Sequence, residues 1–264
     1  MKVAVIGCGY WGQKYIRVLR ELGHFVLRVD TLCLDGDMWN DHKRLTDRIC
    51  DAAIVATPAS THASIVGDLL FAGIPTLVEK PMALRVADAE AMIFISAKTN
   101  TRLAVSNPFR FYDFGNLPNG LDRIDAKWLG GVGPREDCDV LWDMAPHAID
   151  LCNLFFSGQC QAVTSATFST DKVLVLTYPS GEAELKVNGN VLMQWDVTRT
   201  LQCSGEGWRT TFDLKHMKTH GDSEPLKLMV DEFLSGKLPS ERRCRPEDGL
   251  EVVRILEMAH DKQK

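Results

Sequence analysis

Over the first hundred residues, short apolar runs alternate with stretches whose apolar positions recur every three or four residues. The runs Lys2–Ile6, Phe25–Val29, Ala52–Ala56, Pro75–Val78 and Arg102–Val105 read as strands. Between them, 13–22, 61–72 and 86–98 read as helices. Tyr15, Ile16, Val18, Leu19 and Leu22 mark the buried face of the first, and Gly23 and Gly73 stop the first two. Asp35-Gly36-Asp37 marks a turn, and 41–49 fits one short helix. Strands that are apolar throughout belong in a sheet covered on both faces. Their alternation with helices implies right-handed parallel crossovers.

The rhythm changes near Asn107-Pro108. Residues 121–129 read as a strand, and 139–156 as a helix with Leu141, Ala145, Ile149, Leu151, Leu154 and Phe155 on its apolar side. Strands follow at 161–168, 172–178, 182–187, 191–203 and 208–214. Turns at Pro179-Ser180-Gly181, Asn188-Gly189 and Ser204–Gly207 predict antiparallel neighbours. Helices at 224–235 and 246–260 finish the chain. The expected class is α/β. A doubly wound parallel sheet over 1–106 precedes an α+β domain over 107–264, whose sheet is open and mostly antiparallel. The last helices are free to pack back on the first domain.

Composition narrows the function. The chain has 264 residues, 45% hydrophobic and 25% charged, which excludes a disordered or fibrous protein. Its net charge of −5 lacks the basic footprint that nucleic acid requires. No apolar run approaches the ~20 residues needed to cross a bilayer, and the opening MKVAVIGCG reads as a buried strand and not as a signal peptide. Eight cysteines are scattered without a C-x-x-C pair, as expected of reduced thiols used as small apolar residues in a cytoplasmic protein.

Three features carry chemistry. Gly7-x-Gly9-x-x-Gly12 sits between a strand and a helix, the context of the Rossmann dinucleotide fingerprint. Gly7 permits a tight turn, Gly9 lets backbone approach a pyrophosphate, and Gly12 lets the helix pack close to the sheet. The helix N-terminus then faces the phosphates. Asp30 ends the second strand, where a carboxylate binds a ribose diol and repels a 2′-phosphate, favouring NAD over NADP. Lys80, in Val78-Glu79-Lys80-Pro81, lies at the carboxyl end of the fourth strand, where open α/β sheets bind ligands. It is placed to stabilise a developing alkoxide. Asp143 and His147 are one helical turn apart, so the carboxylate can orient the imidazole and raise its basicity. Pro146 either kinks that helix or sits in its first turn.

Each feature has a plainer reading: a glycine turn with a surface Asp, an exposed Lys, and a capped helix with a structural His. His216-x-x-x-His220 has metal-like spacing but too few ligands, so no metal is expected. Arg110, Arg123 and Arg135 are candidate diphosphate contacts, and Trp128 and Trp142 candidate pocket walls; surface and core roles compete for each. The run Glu241–Arg245 reads as solvated.

In these residues the chain resembles the glucose–fructose oxidoreductase, inositol dehydrogenase and MocA (Gfo/Idh/MocA) family. The matching segments are Gly7–Gly12, Ala53–Pro58 with His62, Val78–Met82, Asp143–Asp150, Glu224–Leu226 and Glu247–Glu257. The resemblance implies that Lys80 and His147 support hydride transfer between an alcohol and nicotinamide, with Asp143 assisting. It also implies that Tyr10, Trp11, Thr57, Pro58, His62, Glu79 and Lys80 lie along the cofactor. Gly9-Tyr10-Trp11-Gly12 and Leu141–His147 look most like the nucleotide-sugar branch, which acts on a ring carbon, often C3. Segments 31–50 and 107–137 are shorter than in that family, which bears on the adenine pocket and the substrate walls. The expected function is an NAD-dependent oxidoreductase acting on a sugar or nucleotide sugar. The alternatives are a free polyol or sugar dehydrogenase and a non-catalytic NAD-binding sensor. Pairing of copies through the open sheet face is a further implication of the resemblance.

Overall fold

The computed structural model describes residues 1–32, 38–129, 138–156, 159–168, 171–188, 198–217, 219, 224–236 and 244–261. The turn expected at 35–37, Arg135, the start of the 191–203 strand, Gly189, His220 and 241–243 lie outside the described residues. The chain separates into two compact units, Met1–Pro108 with Ser223–Leu250, and Phe109–Asp222 with Glu251–Lys264.

The first unit holds β1 (Lys2–Ile6), β2 (Phe25–Val29), β3 (Met38–Trp39), β4 (Ala52–Val55), β5 (Thr76–Val78) and β6 (Leu103–Val105). Every pairing is parallel, and the order is β3-β2-β1-β4-β5-β6. Helices α1 (Tyr10–Glu21), α2 (His62–Phe71) and α3 (Val86–Thr99) make the crossovers. The sheet reverses its direction of growth beside β1, so the carboxyl ends of β1 and β4 flank a crevice. β1 from Val3, β4 and β5 are buried residue by residue, as unbroken apolar runs require.

Two local expectations change. The stretch 41–49 contains a three-residue 3-10 turn, His42–Arg44, in place of a helix, because the Asp41 carboxylate accepts the Lys43 N–H and the turn ends at Leu45 in extended backbone. A sixth strand, β3, joins the edge; its two residues are too short to show periodicity.

The second unit is built on β7 (Leu121–Leu129), α4 (Val140–Phe155), β8 (Ala162–Phe168), β9 (Asp171–Tyr178), β10 (Gly181–Asn188), β11 (Thr198–Gly205) and β12 (Trp208–Asp213). The order is β12-β11-β7-β10-β9-β8. Hairpins at Pro179-Ser180 and Glu206-Gly207 match the turn signals. β10 runs parallel to β7, and β11 pairs on the other side of β7; the turn expected at Asn188-Gly189 leads into residues 189–197, which lie outside the described residues. The sheet is therefore mixed, with four antiparallel pairings and one parallel pairing among the described strands. Helices α5 (Pro225–Leu234) and α6 (Pro246–Asp261) complete the chain. Among the described residues no helix is long and apolar enough to cross a membrane.

α4 carries the second unit's candidate chemistry and is fixed at two points, its N-cap and Asp150. The Asp139 carboxylate caps it, accepting from the Leu141 and Trp142 N–H groups at 2.9 and 3.1 Å. Burial alone would raise that carboxyl, but Lys172 at 2.8 Å and the two amides hold it below its usual value. Pro146 lies inside the helix and not in its first turn, so no N–H reaches back to the Trp142 carbonyl there. Deeper in, Asp150 takes a bidentate pair from Arg110 at 2.6 and 2.7 Å, with both side chains 3% exposed. That pair removes Arg110 from the candidate diphosphate contacts. Arg123 is likewise engaged, by Asp125, Glu182 and Glu184.

The β1–α1 junction depends on two glycines. Gly7 has φ +87°, and a Cβ on it would meet the Ala56 carbonyl at 2.7 Å. A Cβ on Gly12 would lie 1.9 Å from the Gly7 oxygen, with rigid backbone on both sides. Gly12→Ala is expected to cost about 3 kcal/mol or more, read from urea unfolding midpoints. A loss below about 0.5 kcal/mol would show that the junction is looser than this.

Candidate active site

In the first unit, the loop after β1 forms a cradle. No side chain caps α1, and its first turn holds no acidic residue. Its leading amides and positive dipole end thus meet no capping side chain and no first-turn carboxylate. A Cβ on Gly9 would meet no protein atom within 4 Å, so nothing in the chain itself demands glycine there. Asp30 closes the cradle from the end of β2. Its Oδ2 accepts the Cys8 N–H at 2.7 Å and its Oδ1 the Leu32 N–H at 3.0 Å. One carboxylate thus holds the glycine loop while keeping lone pairs for a diol. Burial pushes the Cys8 thiol up, and the Asp30 charge adds to that, which keeps this sulfur protonated and unreactive. Tyr10 and Trp11 stack edge to face beside the loop, with the Lys14 ammonium over both rings at 4.4 and 4.2 Å.

The carboxyl ends of β4 and β5 supply the next group. His62 is buried and bridges two loops, with Nε2 2.9 Å from the Thr57 carbonyl and Nδ1 3.0 Å from the Pro81 carbonyl. Thr57 Oγ1 accepts from Thr61, and Pro58 is exposed. Lys80 is only 7% exposed and precedes a cis peptide bond to Pro81. Glu79 is buried, and both its oxygens are hydrogen-bonded within the protein, to Tyr15 and Ser106 on one side and to the Lys80 N–H on the other.

In the second unit, His147 is 8% exposed and lies against aromatic rings. Its ring is centred 4.7 Å from Phe109 and 6.5 Å from Trp128, and these two are 5.2 Å apart. Trp128 is fully buried, and Trp142 is buried in α4. Asp143, half-buried, sits one turn before His147 on α4. The Arg199 guanidinium lies 5.7 Å from the centre of the Trp128 ring and donates to the Leu129 and Thr198 carbonyls. Burial draws Arg199 down to about 10, while the Asp143 charge acts the other way. An imidazole in such surroundings is shielded from water and held by ring packing.

The structure thus gathers Gly7, Gly9, Gly12, Asp30, Thr57, His62, Glu79 and Lys80 at the carboxyl edge of one sheet. Asp143 and His147 belong to the other unit. Tyr15, Ser106, Phe109 and Arg199 contribute contacts that the sequence does not announce. Tyr15 reads as one more core position of α1, and Phe109 follows a break signal. His216 pairs with Asp213, and no group of metal-ligating side chains occurs among the described residues.

Asp30→Ala is expected to raise the affinity for NADP relative to NAD by about tenfold, because it removes a negative charge from the 2′-phosphate position. Tryptophan fluorescence titration with both dinucleotides measures the ratio. An unchanged ratio would remove Asp30 from cofactor selection.

Comparison with known proteins agrees with this geometry. Residues 1–107 match the model of an oxidoreductase family with an NAD-binding Rossmann fold, Gfo/Idh/MocA. The chain is 35% identical over 107 residues to myo-inositol dehydrogenase Hyg17 of Streptomyces leeuwenhoekii, covering 35% of this chain and 32% of that protein. It is 31% identical over 174 residues to UDP-N-acetylglucosamine 3-dehydrogenase of Acidithiobacillus ferrooxidans, covering 60% and 55%. The chain therefore spans between a third and just over half of the length of these relatives. The solved structure of UDP-N-acetylglucosamine 3-dehydrogenase GnnA from A. ferrooxidans superposes with a TM-score of 0.84 at 18% identity, covering 100% of this chain and 99% of that one, a likeness of fold. The open space at Gly9, the uncapped α1 and the Asp30 carboxylate at the end of β2 fit the dinucleotide that the family model names. Over residues 1–107 the chain matches the NAD-binding Rossmann domain of the Gfo/Idh/MocA oxidoreductase family.

Proposed function

We propose that the protein is an NAD-dependent oxidoreductase acting on a ring carbinol or ketone of a sugar, and that this sugar is carried by a nucleotide. The observation that supports the enzymatic reading most is the burial of Lys80. Lys80 is only 7% exposed at the carboxyl edge of a parallel sheet, in the unit that carries a dinucleotide cradle. A binding module gains nothing from it there. An alcohol-oxidising site gains a donor for the oxygen on which negative charge develops.

When bound, NAD supplies the two-electron acceptor for the hydrogen on the carbinol carbon. His147 takes the hydroxyl proton, Asp143 holds the imidazole in the tautomer that can accept it, and Lys80 hydrogen-bonds the same oxygen as it becomes a carbonyl. In the reducing direction His147 returns that proton. Phe109 and Trp128 exclude water from the imidazole. Asp30 and the amides of α1 hold the dinucleotide.

The relatives differ in what they say about substrate. The match to the inositol dehydrogenase extends over 107 residues, the length of the cofactor-binding segment. The match to the UDP-N-acetylglucosamine enzyme extends over 174 residues, so it must run past residue 108 into the second unit. A match of 217 residues to D-apiose dehydrogenase of Paraburkholderia graminis also runs into the second unit, so the nucleotide sugar is proposed on the likeness of Gly9–Gly12 and Leu141–His147 to the nucleotide-sugar branch and not on match length.

Turnover is read as reduced-nicotinamide absorbance with UDP-sugars and with free inositol. The expected result is turnover of a UDP-sugar and loss of about 10²–10⁴-fold in kcat on His147→Ala. Activity within a few-fold of the parent in that variant would contradict the assignment. Turnover of inositol alone would favour the polyol reading, and NAD binding without turnover a sensor.

A further inference from the structure

We propose that Tyr15 and Ser106 are positioning residues that fix Lys80 through the Glu79 carboxylate. The inference rests on the oxidoreductase reading of Lys80. All four residues are buried, and they come from α1, from the end of β5 and from the residue after β6. The Tyr15 hydroxyl donates to Glu79 Oε1 at 2.5 Å, and the Ser106 hydroxyl donates to the same oxygen at 3.0 Å. The two hydroxyl oxygens are 2.9 Å apart. Each hydroxyl has one proton, and both are used on the charged acceptor. Glu79 Oε2 accepts the backbone N–H of Lys80 at 3.0 Å.

The backbone explains why a carboxylate is needed here. The ladder continues to Glu79, whose N–H donates to the Val55 carbonyl at 2.9 Å, and Ser106 N–H donates to the Val78 carbonyl at 2.8 Å. One residue further, β5 has ended and the Lys80 N–H donates to the Glu79 carboxylate. A buried N–H without an acceptor is costly. Glu79 supplies the acceptor, and Tyr15 and Ser106 hold its side chain in one rotamer. Immediately beyond, the Pro81 carbonyl is held by His62 Nδ1 at 3.0 Å. The backbone of Lys80 is therefore restrained on both sides, and with it the origin of the ammonium-bearing chain.

A core filler would do as well for packing alone. Phe at 15 and Ala at 106 keep almost all the apolar contact and spare the desolvation of two hydroxyls and a carboxylate. Satisfied buried networks fix one geometry, and here that geometry ends on a residue proposed for chemistry. Tyr15 stays a phenol throughout the working range, since burial and then the Glu79 charge push its ionisation far up.

The test compares Tyr15→Phe, Ser106→Ala, the double variant and Lys80→Met, with kcat, KM, NAD affinity by fluorescence titration, and thermal midpoint recorded for each. The expected result is a fall of about tenfold in kcat for Tyr15→Phe and a smaller fall for Ser106→Ala, with NAD affinity within about twofold. The double variant should fall less than the product of the two, because both hydroxyls act on one carboxylate. Ser106→Ala removes a single oxygen and no bulk, so it carries the test if Tyr15→Phe is poorly folded. Unchanged kcat in the folded variants, with lowered thermal midpoints only, would overturn the inference while Lys80→Met still abolishes turnover. Retention of turnover by Lys80→Met would overturn the Lys80 reading itself, and the inference with it.

Discussion

The closeness of α1 to β1 is the constraint on which the functional edge depends. The Gly7 oxygen occupies the place where a Gly12 side chain would begin, so the helix lies against the strand with nothing between them. Three consequences follow from that single approach. The leading amides of α1 face the crevice at the sheet's carboxyl edge. Cys8 N–H comes within reach of Asp30 at the end of β2. Tyr15, three residues after Gly12 on the buried face of the helix, reaches across to Glu79 at the end of β5. The cradle and the lysine turn are thus set by one piece of backbone packing.

A second regularity is the use of carboxylates where regular hydrogen bonding stops. Asp30 receives the Cys8 amide beyond β1, Glu79 receives the Lys80 amide beyond β5, and Asp139 receives the first amides of α4. Each satisfies an amide that neither a strand nor a helix can serve. Asp150 acts differently. Its bidentate pair with Arg110 is buried on both sides, so removing either partner would strand a charge in the core. That pair ties the start of the second unit to the helix that carries His147.

How much of this is legible in the sequence depends on the range over which each signal acts. The strands β1, β2, β4, β5 and β6 and their helices follow from continuous apolar runs and helical periodicity, which are local. The glycine loop, Asp30, Lys80 and the Asp143–His147 spacing are legible for the same reason, since each chemical type sits at a recognisable point of a strand–helix junction or a helix turn. The sheet order in the second unit is not local. β10 and β11 follow one another among the described strands, yet β7, some sixty residues earlier than β10, lies between them. Arg110 could not be told from a phosphate ligand, because its partner is forty residues away. Glu79 shows the same limit: its type and place are visible, but its two hydroxyl partners come from distant elements.

The proposed function assigns Lys80 and His147 to one chemical step. A double-mutant cycle on kcat/KM with Lys80→Met and His147→Asn tests it most directly. If both groups act on one oxygen in one transition state, the double variant loses little more than the worse single variant. Losses that multiply, each change costing the same whether or not the other is present, would contradict the account.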